Sequence, residues 1–328
     1  MKEVSGRVAF ITGGASGMGL GMARVFSKAG MKVAIADVRR DHLDAAMNHF
    51  RGAEADVLPL QVDVADRAAV ARAADETERV FGKVHVLCNN AGVGIFGPLL
   101  DATYDDWDWG LSVNLGGVIN GVQTFLPRIR RHGEGGHIVT TASMSGLLGG
   151  VAGIYVAAKY ALVGFMETLR PELEPLNIGV SVFCPGLVTT NIHEVEKLRP
   201  AKYAHTTYKA AAETWAEFMR AKILPAGMDP LEAGERVLRG IRRNDLYILT
   251  HPEYEPGLRE CFAAILPRSP SRVRRRRRES LPRPWCCVTR CSRTNATGCY
   301  ANGRSARPSD EPGAQKGRGP SPRERRDE

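Results

Sequence analysis

An apolar run at residues 7–11 (RVAFI) leads into Thr12, then into a stretch with glycine at 13, 14, 17 and 19, then into a helical pattern, LGMARVFSKAG. Strand, tight glycine turn and helix in that order leave few folds open to a chain. Glycine lets the backbone turn sharply and come close to a pyrophosphate, and the free N–H groups of the helix start bind its charge. Thr12, Gly13, Ser16, Gly17, Met18 and Gly19 are therefore the expected phosphate-side contacts of a dinucleotide. A second strand pattern, KVAIA, ends at Asp37. A carboxylate there accepts hydrogen bonds from ribose hydroxyls and repels a 2′-phosphate, so NAD is the expected cofactor. Arg39 and Arg40 lie nearby and keep NADP open as the alternative.

Strand patterns recur at 7–12, 32–37, 58–62, 84–89, 136–142, 179–184 and 246–250, with amphipathic helical patterns between them, as at 66–81 and 155–174. Such alternation predicts an α/β chain: a single-domain Rossmann fold over residues 1–267 with a doubly wound, mostly parallel seven-stranded sheet. Right-handed crossovers bring all strand C-terminal ends to one edge. The glycine loop, Asp37, Asp63, Asn90, Ser143 and Pro185 each follow a strand end and should converge on one crevice.

Residues 187–228 interrupt the alternation and carry His193, Tyr203, His205, Tyr208, Trp215, Phe218 and Met219. A long, aromatic, partly helical insertion beside a crevice reads as a helical lid over a substrate, with His193 as a candidate substrate contact. Ordinary packing of two helices is the competing reading for each aromatic. Neither His193 nor His205 has companions at metal-ligand spacing, so no metal site is expected. Trp107 and Trp109 read as packing at a helix start or at a subunit contact, with one of them near the substrate as the functional alternative.

Tyr155 and Lys159 stand four residues apart, one helical turn, with Ser143 twelve residues upstream. An ammonium beside a phenol favours the phenolate, so the expected effect is a lowered tyrosine pKa and a proton shuttle between an alcohol and a ketone.

With these motifs in place, the chain resembles the short-chain dehydrogenase/reductase superfamily. The matching segments are Thr12-Gly13-x-x-x-Gly17-x-Gly19, Asp63-Val64, Asn89-Asn90-Ala91-Gly92, the set Asn114, Ser143, Tyr155 and Lys159, and Pro185-Gly186. The resemblance implies that Asp63 and Val64 contact the adenine ring, that Asn90, Ala91, Gly92, Pro185 and Gly186 belong to the cofactor site, and that Thr189 meets the nicotinamide carboxamide. It implies a catalytic tetrad in which Tyr155 is the base and also contacts substrate. Ser143 holds the substrate oxygen, Lys159 binds the nicotinamide ribose, and Asn114 holds a relay water. It further implies a homodimer or homotetramer paired through helices at 104–131 and 155–174. Segments such as DATYDDWDWGLSVNLGGVINGV and NIHEVEKLRPAKY are similar to the Cα-dehydrogenases of bacterial lignin aryl-ether breakdown, over residues 1–266. That likeness implies oxidation of a benzylic secondary alcohol. The same tetrad also serves 3-oxoacyl thioesters, hydroxysteroids and sugar alcohols. A non-catalytic NAD-sensing, nucleic-acid-binding regulator is the reading from another class.

The formal charge of +9 is unevenly spread: residues 268–328 carry 16 Arg and one Lys against six acidic residues, leaving a mildly acidic body. That Arg-, Pro- and Gly-rich stretch has little apolar periodicity and is expected to be disordered. Three readings stand for it: a translated wrong frame of a GC-rich gene, a phosphate-binding tail, and a plain solvated tail. A metal knot from Cys286, Cys287, Cys291 and Cys299 lacks paired C-x-x-C hooks. Cys88 and Cys184 fall on strand patterns and read as buried reduced thiols. No leader pattern or membrane-length apolar run is evident, so the expected setting is cytoplasmic, with a small-molecule alcohol or ketone as partner and neither nucleic acid nor membrane.

Overall fold

Val8–Thr12 (VAFIT) is buried at every position, as a strand covered on both faces must be. It forms β1 at the centre of the sheet. The computed structural model describes residues 1–51, 56–150 and 152–266. After β1 come α1 (Gly17–Lys28), β2 (Lys32–Asp37), α2 (Arg40–Met47), β3 (Val57–Gln61), α3 (Arg67–Phe81) and β4 (Val86–Asn89). The second half adds α4 (Tyr104–Leu111), α5 (Gly117–His132), β5 (Gly136–Thr141), α6 (Gly153–Leu173) and β6 (Ile178–Cys184). Then follow α7 (Lys209–Phe218), α8 (Pro230–Arg243), β7 (Tyr247–Leu249) and α9 (Glu255–Ile265).

The sheet order is β3-β2-β1-β4-β5-β6-β7, and every pairing is parallel. The expected doubly wound sheet is present, and among the described residues it is wholly rather than mostly parallel. Strand order reverses between β1 and β4, which opens a crevice at their C-terminal ends.

Two apolar layers cover the sheet. On one face Phe10, Leu87 and Ile138 meet Phe125, Leu162 and Met166, with the Phe10 and Phe125 rings 4.4 Å apart. On the other, Ile11 and Ile35 meet Met22, Phe26, Val237 and Ile241. Here α1 and α8 cross at backbone contact: a Cβ on Gly21 would lie 2.0 Å from the Pro230 carbonyl oxygen. A third, smaller cluster joins Ile95, Trp109 and Ile154 to Val195 and Tyr208 of the insertion.

The insertion after β6 is pinned at its base by a bridge between Val188 and Met228, in which Met228 N–H donates to Leu187 O at 2.9 Å. It contains a 3-10 segment at Ile192–Leu198 and α7. Among the described residues no helix is long and apolar enough to cross a membrane. The Arg-rich stretch from residue 268, with its expected disorder and four cysteines, lies outside the described residues.

Candidate active site

Thr12 closes β1 and binds the neighbouring strand end. Its hydroxyl accepts from Asn90 N at 2.9 Å and Ala91 N at 3.0 Å. Asn90 returns a bond from Nδ2 to Thr12 O at 3.1 Å and accepts from the Thr141 hydroxyl at 3.2 Å. Three strand ends are thus tied at one point. Above it the chain turns through Gly13 and Gly17, both at positive φ (61° and 49°). Gly19 must lack a side chain, since a Cβ there would lie 2.0 Å from Gly13 O. Helix α1 starts at Gly17 with no side-chain cap and no acidic residue in its first turn, so its leading N–H groups point at the crevice. That cradle fits the pyrophosphate of a dinucleotide.

Asp37 ends β2 beside this loop. Its carboxylate accepts from Ala15 N at 3.3 Å and Arg39 N at 3.0 Å, while burial pushes its pKa up. Arg39 is already engaged: its Nε donates to Asp41 at 3.0 Å, and its guanidinium lies 4.0 Å from Glu194 of the insertion. Asp63 accepts from Ala65 N at 2.9 Å, and Val64 is buried with its carbonyl held by Asn120.

Asn114 sits in a single π-helical turn, Ser112–Gly116, between α4 and α5. Both ends of its buried amide hold Val93: Oδ1 accepts from Val93 N and Nδ2 donates to Val93 O, each at 2.9 Å. Lys159 is 3 % exposed and donates from Nζ to Thr141 O at 2.8 Å. Its Nζ lies 5.4 Å from the centre of the Tyr155 ring. Gly92 separates Asn114 from Lys159: a Cβ there would be 2.9 Å from Asn114 Oδ1 and 3.7 Å from Lys159 Nζ. Ser143 Oγ accepts from Ser145 N at 3.0 Å, and its hydroxyl stands near enough to Tyr155 to favour the phenolate.

The electrostatics differ from the sequence expectation. Burial pushes the Tyr155 phenol up to about 12, with the nearby Ser143 hydroxyl opposing it. Burial also pulls the Lys159 ammonium down to about 8. Lowering of the phenol by its lysine was expected; in the protein alone, desolvation of both groups outweighs that attraction.

A cavity of about 250 Å³ joins Gly13, Ser16, Gly17, Met18, Asp37, Asp63 and Val64 to Asn90, Ala91, Gly92, Tyr155 and Lys159. Its outer wall comes from the insertion, through Thr190, Ile192, Leu198 and Tyr203, and from Trp109. Thr12, Gly19, Asn114 and Ser143 support it from behind. Pro185 and Gly186 stand further back: Pro185 O accepts from Met144 N at 2.9 Å, and Gly186 N donates to Thr250 Oγ1 at 3.0 Å. Two residues sit elsewhere than expected. The Thr189 hydroxyl is turned to Leu224 O at 2.9 Å, and Thr190 lines the cavity in its place. His193 lines an adjoining cavity, with Arg24, His42 and His49, that shares Ser16, Gly17 and Thr190 with the first. Sequence reasoning passed over Thr190, and also over Phe96, whose ring is 5.3 Å from that of Tyr155. A run of alternating small and apolar residues, GVGIFG, gives no periodic signal for it.

Among the described residues, His85, His132 and Glu134 lie close enough to share a metal ion. They stand at the N-terminal ends of β1 and β4, away from the cavity. Protein partners already take their donors: Val8 N bonds His85 Nδ1 at 3.1 Å, and Lys83 and Arg7 bind Glu134.

The short chain dehydrogenase family model matches residues 7–200. A C alpha-dehydrogenase of Sphingobium sp. strain SYK-6 is 45 % identical over 268 residues, covering 81 % of this chain and 87 % of that protein. A short chain dehydrogenase/reductase of Burkholderia phymatum, solved in complex with NAD, superposes with a TM-score of 0.76 at 35 % identity, covering 83 % of this chain and all of that one (100 %). The apo form of LigO from Sphingobium sp. strain SYK-6 gives 0.68 at 43 % identity, over 81 % of this chain and 89 % of its own.

Proposed function

The chain belongs to the short-chain dehydrogenase family, and on that premise we propose that it is an NAD-dependent oxidoreductase that interconverts a benzylic secondary alcohol and its ketone. The observation that carries the reaction is that Tyr155 and Lys159, with Ser143 behind them, share one cavity with the glycine loop and Asp37. The relative named for Cα oxidation and the relative solved with NAD support the substrate and the cofactor.

The glycine cradle, the uncapped start of α1 and the Asp37 carboxylate fit a dinucleotide with a free ribose 2′-hydroxyl. Bound there, NAD supplies the hydride acceptor. Tyr155 takes the proton of the carbinol hydroxyl in oxidation and returns it in reduction. Ser143 hydrogen-bonds the reacting oxygen and opposes the upward pull of burial on the phenol. Lys159, with a pKa of about 8, is charged at neutral pH and stabilises a phenolate as it forms. Thr141 O fixes one of its three N–H groups and so sets where the ammonium stands. Asn114 holds the Val93 backbone against the same spot. General acid–base help of this kind is worth about 10² to 10⁴ in rate.

In this reading residues 1–267 are the catalytic unit and 187–228 its lid. The protein works as a homodimer or homotetramer through α4, α5 and α6, where Ile119 and Tyr160 are exposed apolar residues. A cytoplasmic setting goes with NAD use and with the free thiols of Cys88 and Cys184. The test is NADH formation by the full chain with a β-aryl-ether benzylic alcohol, beside aliphatic and steroid alcohols. Selective turnover of the first is expected, abolished in Tyr155→Phe with NAD binding retained. Tyr155→Phe retaining more than about a tenth of the activity would remove Tyr155 as the base.

A further inference from the structure

Strands β6 and β7 pair as far as Cys184 and Leu249, and the next residue on the β6 side, Pro185, has no N–H to give. The first donor beyond the ladder is therefore Gly186 N. Two side chains that continue from β7 meet it: Thr250 Oγ1 at 3.0 Å and His251 Nδ1 at 3.2 Å. The Thr250 hydroxyl also bonds His251 Nδ1. A ring nitrogen that faces an N–H offers its lone pair, so His251 carries its proton on Nε2. The fit is close: a Cβ on Gly186 would lie 2.6 Å from His251 Nδ1 and 2.9 Å from the Tyr254 ring.

The other side of the same turn holds Ser143. Ala142 N donates to Phe183 O at 2.7 Å and Met144 N to Pro185 O at 2.9 Å, so both neighbours of Ser143 hang on residues 183–185. Ser143 itself is extended, with φ −177° and ψ 163°. Its Oγ, carried between two such bonds, moves with 183–185. Thr250 and His251 anchor the C-terminal end of that segment. The anchor is itself held: Thr250 is 2 % exposed, and its carbonyl accepts from Arg236 Nη1 of α8 at 2.9 Å. Helix α9 reaches the serine loop as well, since a Cβ on Gly257 would stand 3.5 Å from Leu148 Cδ1.

We infer that His251 is a positioning residue for the reaction: by accepting from Gly186 N it holds the Pro185 carbonyl, which holds Met144 and so sets where Ser143 Oγ stands relative to Tyr155. The inference rests on the dehydrogenase reading above. His251 is not among the residues that line the cavity, so it acts through the main chain alone. Small movements matter here, because a shift of about 1 Å at a group that meets the reacting atoms can cost about 10² in rate.

The test uses the full chain as wild type, His251→Asn and His251→Leu, with NAD and the β-aryl-ether benzylic alcohol beside aliphatic and steroid alcohols. Asparagine puts an amide oxygen two bonds from Cβ, where histidine has Nδ1, whereas leucine puts a methyl group there. His251→Leu should lower kcat about 5- to 50-fold, with NAD affinity in titration calorimetry changed less than about 3-fold, because the glycine loop and Asp37 are untouched. His251→Asn should stay within about 3-fold of the wild type in kcat. A packing role predicts the reverse order, since leucine fills the space against Gly186 and Tyr254 better than asparagine does. Hydrogen exchange followed by mass spectrometry should show 142–148 and 183–188 exchanging about 10-fold faster in His251→Leu and near the wild-type rate in His251→Asn. Equal kcat in the two variants, a more active leucine variant, NAD affinity lost in step with kcat, or unmoved exchange at 142–148 in His251→Leu would overturn the role of His251 alone. A wild type that oxidises none of the alcohols would overturn the dehydrogenase reading and this role with it.

Discussion

The guanidinium of Arg199 lies 2.9 Å from the carboxylate of Asp106, and neither side chain is more than 7 % exposed. Arg199 also stacks 4.5 Å above Trp109 and binds Glu196 at 2.8 Å. Asp106 in turn caps α4 through Thr103. One buried cation therefore fastens the first half of the insertion to the helix that leads to Asn114, beside a wall of the cofactor cavity.

Arg199→Met should remove this fastening and leave Asp106 buried without its cation. Breaking a buried pair from one side costs about 3–5 kcal/mol, so a clear fall in melting temperature is expected. KM for NAD should rise, with a smaller change in kcat, because the loosened wall is Leu198–Tyr203 rather than the tetrad. The pH dependence has a definite sign. Burial alone would raise the Asp106 carboxyl, but hydrogen bonds from Thr206 and Thr103 and the Arg199 charge bring it below the usual value. Its contribution is present above the ordinary carboxyl pKa and is lost as pH falls through the folded one. The stability gap between wild type and Arg199→Met should narrow as the pH is taken below about 4, which thermal melts in acid buffers would show.

Lys159 carries a second signature. Its folded pKa of about 8 lies below that of a free lysine, so between about 8 and 10 the unfolded chain binds more protons and stability rises with pH. Tyr155, raised to about 12, does the reverse above about 10. The apo wild type should therefore gain melting temperature relative to Lys159→Met between about pH 8 and 10. A parallel course for the two proteins would mean that Lys159 is not desolvated as its contacts indicate.

Much of this could be read from sequence because it rests on local rules. The glycine loop needs positive φ at Gly13 and Gly17, and strands covered on both faces read as unbroken apolar runs, as in VAFIT. An i, i+4 spacing put Tyr155 and Lys159 on one face of α6. What escaped depends on distant packing. Arg199 reads as an ordinary surface cation until Asp106, 93 positions away, is brought to it by the insertion. Whether Thr189 or Thr190 faces the cavity is decided by the bridge from Val188 to Met228, which no local pattern announces. The raised phenol pKa is not legible in the sequence, because burial is a property of the folded crevice, whereas the sequence displays only the neighbouring charge.

Cofactor choice can be tested at Asp37. Asp37→Ser should lower kcat/KM for NAD about 10- to 100-fold, the worth of a charged hydrogen bond. It should confer little NADP activity, because Asp41 and Glu194 hold Arg39 away from a 2′-phosphate. Adding Asp41→Asn should release Arg39 and raise activity with NADP. Equal use of NADP by the single variant would show that Arg39 is not restrained by these partners. Steady-state rates with each cofactor decide it.

Gly19 and Gly21 lie two residues apart in the same helix and should fail differently when changed to alanine. The Gly19 Cβ would strike Gly13 O within the phosphate loop, whereas the Gly21 Cβ would strike Pro230 O across the α1–α8 crossing, each at 2.0 Å. A backbone oxygen cannot rotate away as a side chain can, so at each site a segment of main chain must move. Gly19→Ala should distort the loop and weaken NAD binding far more than it lowers stability. Gly21→Ala should force α8 off α1 and cost about 1–3 kcal/mol, roughly 2–12 °C in melting temperature for a domain of this size. It leaves the loop intact, so NAD should bind the folded variant nearly as well as the wild type. Isothermal titration with NAD beside thermal melts separates the two, and a Gly21→Ala protein that kept its melting temperature while losing NAD would contradict the assignment of that glycine to helix packing.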